Sequence, residues 1–400
     1  MPKEFLASPA SLARTMHPRL ETLRCELDRS EHYERASAEL NELTLAFVLS
    51  AISQLGFRLE PGQRVSATAF MKSLEIPRIC EPLLLRVIRF LQAEDVLRKS
   101  GDEWEVVSAP QIRPPEQQWR DLLHRRPGDI AELTLIHRYG TGLADLLRDH
   151  IDELDLLFPD DITTTIDHLF QDAPTSRIYN LLLQEALASA CKDILDGRVV
   201  RILEVGSGCG RTGVNPQLLA IKSHRLIAFA SKEAKGRRPL PGKNSTVEFL
   251  SVDLQADFPD QGLDNSTFDV VLLPDGLNIF HSQQPVLERI RRSLAPGGLL
   301  IMLEPTGLPA WMDLTLAPLL KLSAPCGLEA DDSKAIITPE SAAKLLIDAG
   351  FSDVDSVAEP VSKSDFTIFL ARNNDSEPEE GLLTLPMTLG LKMIKNAARG

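Results

Sequence analysis

The residues best spaced for chemistry lie in LEVGSGCGRTG, where Glu204, Gly206, Gly208 and Gly210 form E-x-G-x-G-x-G directly after an apolar run. Glycines let a backbone turn tightly and approach a ligand without side-chain obstruction. In dinucleotide loops the third glycine usually comes three residues after the second, with pyrophosphate on the helix end. Here it comes after two, and no Lys-Ser/Thr pair follows. That fits an S-adenosylmethionine loop better than a loop for NAD or ATP. The anionic Glu204 disfavours a phosphate and suits the ammonium group of methionine. A plain structural turn between strand and helix is the alternative. Cys209 reads as a small filler rather than a nucleophile, because no histidine is near it in sequence.

A second set of residues sits on later apolar runs. His281 follows the fourth run and Glu304 ends the fifth. In a doubly wound sheet those strands are neighbours, and ligands bind at their carboxyl ends. A neutral imidazole can take a proton near pH 7, and a partnered carboxylate can hold its tautomer and stabilise the imidazolium. Asp253 ends the third run, where it can accept from an adenine amino group or stand as a solvated carboxylate. His124, His137, His150 and His168 lie in polar helical stretches without ligand spacing, so no metal site is expected.

These residues need a scaffold. From Val199 the runs RVVRILEVG, HRLIAFAS, VEFLSVD, FDVVLLP, GGLLIMLEP and TIFLARN read as strands, with helical patterns at 285–295 and 339–350 between some of them. Such alternation implies an α/β, doubly wound and mostly parallel sheet with helices on both faces. Before Val199 the texture is helical. Helices are expected from Glu39 to Gly56, from Glu81, from Asp129 to Phe158 and over 176–195. Two short strands flank Ser100-Gly101-Asp102, and IRPPEQQW (112–119) is expected as a boundary. Helices followed by a hairpin resemble a winged-helix unit; the acidic charge favours a packing module over DNA binding.

Composition narrows the classes further. The 400 residues carry a net charge of -14, which repels phosphate backbones and argues against nucleic-acid partners. Five cysteines (Cys25, Cys80, Cys191, Cys209 and Cys326) form no C-x-x-C pair, which favours a reducing cytosol and a cytoplasmic location. No apolar run reaches membrane-spanning length, and no signal-peptide core is visible, so no membrane association is expected.

Longer stretches carry a family resemblance. LFQDAPTSRIYNLLLQEAL, ILEVGSGCG, VEFLSVDLQADFPDQGLDNSTFDVVL, NIFHSQQPVLERIRRSLAPGGLLIMLEPTG and PAWMDLTLAPLL are similar to blocks of the C-methyltransferase domain of modular polyketide synthases. The similarity covers roughly residues 35–373. It implies a class I, Rossmann-like methyltransferase fold with an α-rich N-terminal lid. The implied domains are a lead-in linker or helix (1–34), a lid (35–175), a cofactor-binding core (176–373) and an acidic linker with a C-terminal segment (374–400). The implied cofactor is S-adenosylmethionine, held by Glu204, Gly206, Ser207, Gly208, Gly210, Ser231, Asp253, Leu254 and Asn278. His281 and Glu304 would be the catalytic pair, removing a proton from the α-carbon of a β-ketoacyl thioester. Tyr179, Asn180 and Trp311 would border the substrate channel, Tyr179 alternatively packing the lid and Trp311 acting as a lid or core aromatic. The implied partners are an acyl carrier protein and neighbouring synthase domains.

Four features depart from that family's pattern. After the glycine loop, RTGVNP replaces the family's Gly/Thr-rich continuation. Ser231 stands where an acid grips the ribose hydroxyls, and it lacks a carboxylate's bidentate reach. At the second strand Glu233 is the alternative to Ser231. PDGLN (274–278) is slightly longer than the usual loop before the histidine. The Trp-Trp pair after the Asp-Leu-Thr helix is replaced by LKLSAPCG. Two other functions therefore stay open: a catalytically degenerate structural domain, favoured by Ser231 and disfavoured by Glu204, His281 and Glu304, and an O-methyltransferase of the same fold.

Overall fold

The computed structural model describes residues 6–26, 30–110, 113–157, 174–192, 194, 199–205, 224–230, 245–251, 253, 256–274, 276–277, 282–307, 309–316, 337–358 and 366–374, with 30–34, 154, 174–175, 224–230 and 245–251 as backbone alone. The expected acidic linker and C-terminal segment fall almost wholly outside these residues.

A seven-stranded sheet organises the C-terminal half. Its strands are β4 (Val200–Val205), β5 (His224–Ala230), β6 (Ser245–Ser251), β7 (Phe268–Leu273), β8 (Leu294–Pro305), β9 (Ser352–Val357) and β10 (Phe366–Arg372). They run in the order β6-β5-β4-β7-β8-β10-β9. Strands β4 to β8 pair in parallel, and β10 is antiparallel to both β8 and β9. The mostly parallel sheet expected from sequence is therefore present, and it closes with an antiparallel edge.

The pleat divides the strand residues between two cores, because successive side chains point to opposite faces. Val200, Ile202, Val270, Leu272, Leu299, Ile301, Ile368 and Leu370 share one core with helices α1 (Pro9–Glu26) and α8 (Pro174–Ala190). Leu203, Val205, Val271, Leu273, Leu300, Met302 and Phe369 share the other with α9 (Gln283–Ser293) and α11 (Pro339–Asp348). Both faces are covered, which is why β7 and β8 read as unbroken apolar runs. Helix α1 offers Leu12, Met16, Leu20 and Leu23 on one stripe, so the N-terminal segment joins the sheet core.

The lid comprises α2 (Ser30–Gln54), β1 (Arg64–Val65), α3 (Ala67–Ser73), α4 (Glu81–Ala93), β2 (Leu97–Ser100), β3 (Glu103–Val106), α5 (Pro115–Arg125), α6 (Ile130–Leu147) and α7 (Glu153–Leu157). Its small antiparallel sheet has the order β1-β3-β2, so α2 to β3 form a winged-helix unit. Helix α4, which would read a nucleic-acid groove in such a unit, buries Leu83, Leu84, Arg86, Val87, Ile88, Phe90 and Leu91. It is used here for packing. The expected boundary at 112–119 is instead the start of α5, with Pro115 at the first helical turn, where its missing N–H costs nothing.

Helix α10 (Ala310–Leu316), which follows β8, crosses into the lid. Trp311 is 2% exposed and lies with Leu40, Leu43, Phe47, Leu122, Leu133 and Ile136, while Leu314 joins the core of α4 and α6. The Trp311 backbone N–H donates to Asn41 Oδ1 at 2.9 Å. α10, within the span 176–373, thus packs in the lid, and α1, within the lead-in 1–34, packs on the sheet.

One buried ion pair fastens the lid. Arg86 Nη2 donates to both oxygens of Glu153, at 2.8 and 2.9 Å. Removing Glu153 leaves the buried Arg86 guanidinium without its hydrogen-bonded carboxylate, with Asp313 as the remaining nearby acid. Glu153→Ala is expected to cost about 3–5 kcal/mol in urea unfolding, whereas an apolar replacement of both partners costs much less. Equal losses in the two variants would contradict this.

Among the described residues, no helix is long and apolar enough to cross a membrane, and no group of His, Cys, Asp and Glu could hold a metal ion.

Candidate active site

The chain leaves β4 toward β5 and β6 on one side and returns to β7 and β8 on the other, which makes a crevice at the carboxyl end of β4. Glu204 lies at that end and is 8% exposed. It alternates with Leu203 and Val205, which assigns it to the face covered by α1 and α8. Gly206, Ser207, Gly208 and Gly210, which continue the motif, lie outside the described residues, as do Ser231, Leu254, Asn278 and His281.

Asp253 follows β6, two strands from β4 and so about 10 Å along the sheet edge. Gln261, in the short turn Pro259–Gln261, grips its backbone from both sides. The Asp253 N–H donates to Gln261 Oε1 at 2.7 Å, and Gln261 Nε2 donates to the Asp253 carbonyl at 2.9 Å. The same Nε2 reaches the Asp257 carbonyl at 3.1 Å. Sequence reasoning missed Gln261, since neither periodicity nor motif marks it.

This donor set fits a nucleoside bearing an amino-acid tail. A buried carboxylate at the head of a glycine-rich segment suits an ammonium group, and a half-buried aspartate two strands away suits the nucleoside end. Gln261→Ala is expected to weaken binding of S-adenosylhomocysteine by about three- to tenfold, the scale of a lost backbone clamp of about 1 kcal/mol. Calorimetric titration measures it, and an unchanged affinity would remove Gln261 from the site.

Glu304 stands near the end of β8, two strands from β4 on the opposite side from Asp253. It alternates with Leu303 and falls on the same face as Leu300 and Met302, against α9 and α11. The sheet thus separates it from Glu204. Glu304 is fully buried, and its Oε2 accepts from the Leu277 N–H at 2.5 Å. Burial pushes its carboxyl up to about 8, against the partial opposition of the Leu277 hydrogen bond. A carboxyl in that range can hold or release a proton near neutrality. Its neighbour on β10 is Thr367, also fully buried. The Thr367 and Thr306 hydroxyls are 2.7 Å apart, which ties β10 to the chain leaving β8.

Tyr179 lies on α8, is 3% exposed, and packs its ring against Phe366 with centroids 5.2 Å apart. Asn180 beside it is half-buried. Tyr179 therefore sits where α8 meets the carboxyl end of the sheet, and Trp311 sits within the lid core.

Residues 203–302 match a family model described as a methyltransferase domain. Residues 203–302 carry the sequence pattern of that domain. Curated relatives include a non-reducing polyketide synthase, mapC, of Penicillium roqueforti, 26% identical over 286 residues that cover 68% of this chain and 11% of that protein. Another is a non-reducing polyketide synthase, dpfgA, of Gibberella zeae, 25% identical over 354 residues, 81% of this chain and 15% of that protein. The chain therefore spans a small part of the curated relatives it matches. Among solved structures, the CurJ carbon methyltransferase superposes with a TM-score of 0.76 at 22% identity, over 92% of this chain and 100% of its own. The CMeT domain of the citrinin polyketide synthase gives a TM-score of 0.76 at 20% identity, over 93% and 99%. The methyltransferase domain thus has the class I fold, with the helical N-terminal region included in the likeness.

Proposed function

We propose that this chain is the C-methyltransferase domain of a polyketide synthase. In this reading it uses S-adenosylmethionine to methylate the α-carbon of a β-ketoacyl chain tethered to an acyl carrier protein. The observation that carries the reading is the likeness of lid and sheet together to two polyketide synthase carbon methyltransferase domains, over almost the whole of each. The methyltransferase match over 203–302 and the non-reducing polyketide synthases among the curated relatives support it.

In this reading Glu204 and the glycine segment hold the methionine end of the cofactor, and Asp253, steadied by Gln261, holds the nucleoside end. The bound cofactor supplies a methyl group already activated on a sulfonium, so the chain's task is mainly to position the acceptor. His281 removes the proton between the two carbonyls, and Glu304 orients the ring. The Glu304 carboxyl, raised by burial, shares the site's protons with the imidazole, so the two titrate as a pair. Tyr179 and Asn180 border the acyl chain from α8, and α10 closes the path from the lid side.

Thermal unfolding with and without S-adenosylhomocysteine tests the cofactor step, because a ligand that binds only the native state raises the midpoint. A rise that Gly208→Val abolishes is expected. No rise at millimolar ligand would favour a catalytically degenerate structural domain.

A further inference from the structure

Between β7 and α9 the backbone turns at Gly276 with φ +67°, a left-handed conformation that disfavours side chains. A Cβ at this position would stand 2.4 Å from Glu304 Oε2 and 3.0 Å from the Leu303 carbonyl oxygen. The carboxyl is fully buried and the carbonyl belongs to the β8 backbone, so neither contact is relieved by a shift into solvent. The next residue, Leu277, donates its N–H to that same Oε2 at 2.5 Å. Its side chain is fully buried in the core that includes Val286 and Leu287. Its carbonyl lies 3.5 Å from Gln283 Nε2, at the start of α9. The turn is therefore held by β8 on one side and α9 on the other, immediately before Asn278 and His281. These residues belong to PDGLN, the stretch that is longer than usual for the family the sequence resembles.

We propose that Gly276 is a positioning residue: its left-handed backbone and missing side chain seat the Glu304 carboxyl on the Leu277 N–H. The inference rests on the reading of Glu304 as the partner of His281. Glu304 then has two tasks, orienting the imidazole and anchoring the Gly276–Leu277 turn. Any side chain at 276 displaces the carboxyl and the turn together, while Glu204 at the end of β4 lies one strand away.

Gly297 provides the matched control, since it has φ +76° and nothing within 4 Å of a built Cβ. Alanine there imposes the backbone strain without the collision. Three measurements on the full chain decide the matter: amide hydrogen exchange over peptides containing Leu277, affinity for S-adenosylhomocysteine, and steady-state methyl transfer to a β-ketoacyl carrier protein. Gly276→Ala is expected to speed exchange at Leu277 at least about tenfold and to lower kcat about 100-fold, with KM within about twofold and cofactor affinity lowered far less than kcat. Gly297→Ala is expected to keep wild-type exchange at Leu277 and wild-type kcat within about twofold. Glu304→Asp added to Gly276→Ala withdraws the carboxyl by one methylene and is expected to restore about tenfold of the lost kcat. If Gly276→Ala matches Gly297→Ala in exchange and kcat, the proposal is wrong. If Gly276→Ala yields no folded protein, Glu304→Ala takes its place, and retained protection of the Leu277 amide overturns the proposal. If exchange responds as expected but the wild-type chain transfers no methyl group, the seat stands and the proposed function fails.

Discussion

His281→Ala lowers methyl transfer to a β-ketoacyl carrier protein by about 10²–10⁴-fold, the range for loss of a general base, while affinity for S-adenosylhomocysteine stays nearly unchanged. This is the largest effect expected of any single substitution. It follows from the chemistry of the acceptor, which supplies no electron pair until its α-proton is gone. Glu304→Gln loses less, because an amide still orients the ring and still accepts from the Leu277 N–H, though it cannot stabilise an imidazolium. In the wild type the rate rises with pH through the titration of the His281–Glu304 pair, and that limb disappears in the alanine variant. Wild-type turnover by His281→Ala would remove the proposed base, and Tyr179 on α8 would be the next residue to test.

Glu304→Gln changes the pH dependence of stability even where no reaction takes place. The folded-state value of the Glu304 carboxyl is about 8, against an ordinary value of 4.5. A group raised on folding binds its proton more tightly in the native state, so its contribution is fully present below about pH 4.5. It is lost as the pH rises through about 8. The wild type therefore loses on the order of a few kcal/mol through this group across that window, and the glutamine variant does not. Urea unfolding of the two proteins at pH 5, 6.5 and 8.5 measures the difference, in which other titrating groups cancel. The glutamine variant gains on the wild type as pH rises. A difference that stays flat with pH would mean that Glu304 is ionised in the folded protein throughout.

The parts legible in the sequence are those whose burial imposes a pattern. β7 and β8 are buried on both faces and announce themselves as FDVVLL and LLIMLE. α8 repeats apolar residues at Ile178, Leu182, Leu183, Ala186, Leu187 and Ala190, and its helical reading needs nothing else. β9 was not legible. Ser352–Val357 is a polar edge strand that pairs only with β10, so little of its sequence answers to a core. The single helix expected from Asp129 to Phe158 divides into α6 and α7, with Asp149 left-handed at φ +59° between them. Aspartate tolerates that conformation better than most residues, but its presence does not demand it.

The site divides in the same way. The carboxylates Glu204, Asp253 and Glu304 could be found because each ends or follows an apolar run. Gln261 and the Gly276–Leu277 turn could not. Their hydrogen bonds join residues 8 and 27 positions apart, and no helical or strand period records such a contact. α10 is intermediate: its helix is readable, but its destination in the lid core depends on Trp311 meeting α2 and α6, a tertiary fact.

The central claim is carbon methylation of a carrier-bound chain, and one mass measurement tests it directly. The chain is incubated with S-adenosylmethionine and either a β-ketoacyl carrier protein or the same thioester already bearing two α-methyl groups, and the acyl thioesters are weighed. The expected result is a methyl increment on the first substrate, located at the α-carbon by fragmentation, and none on the second. Methylation of the blocked substrate, or an increment located on oxygen, would contradict the account.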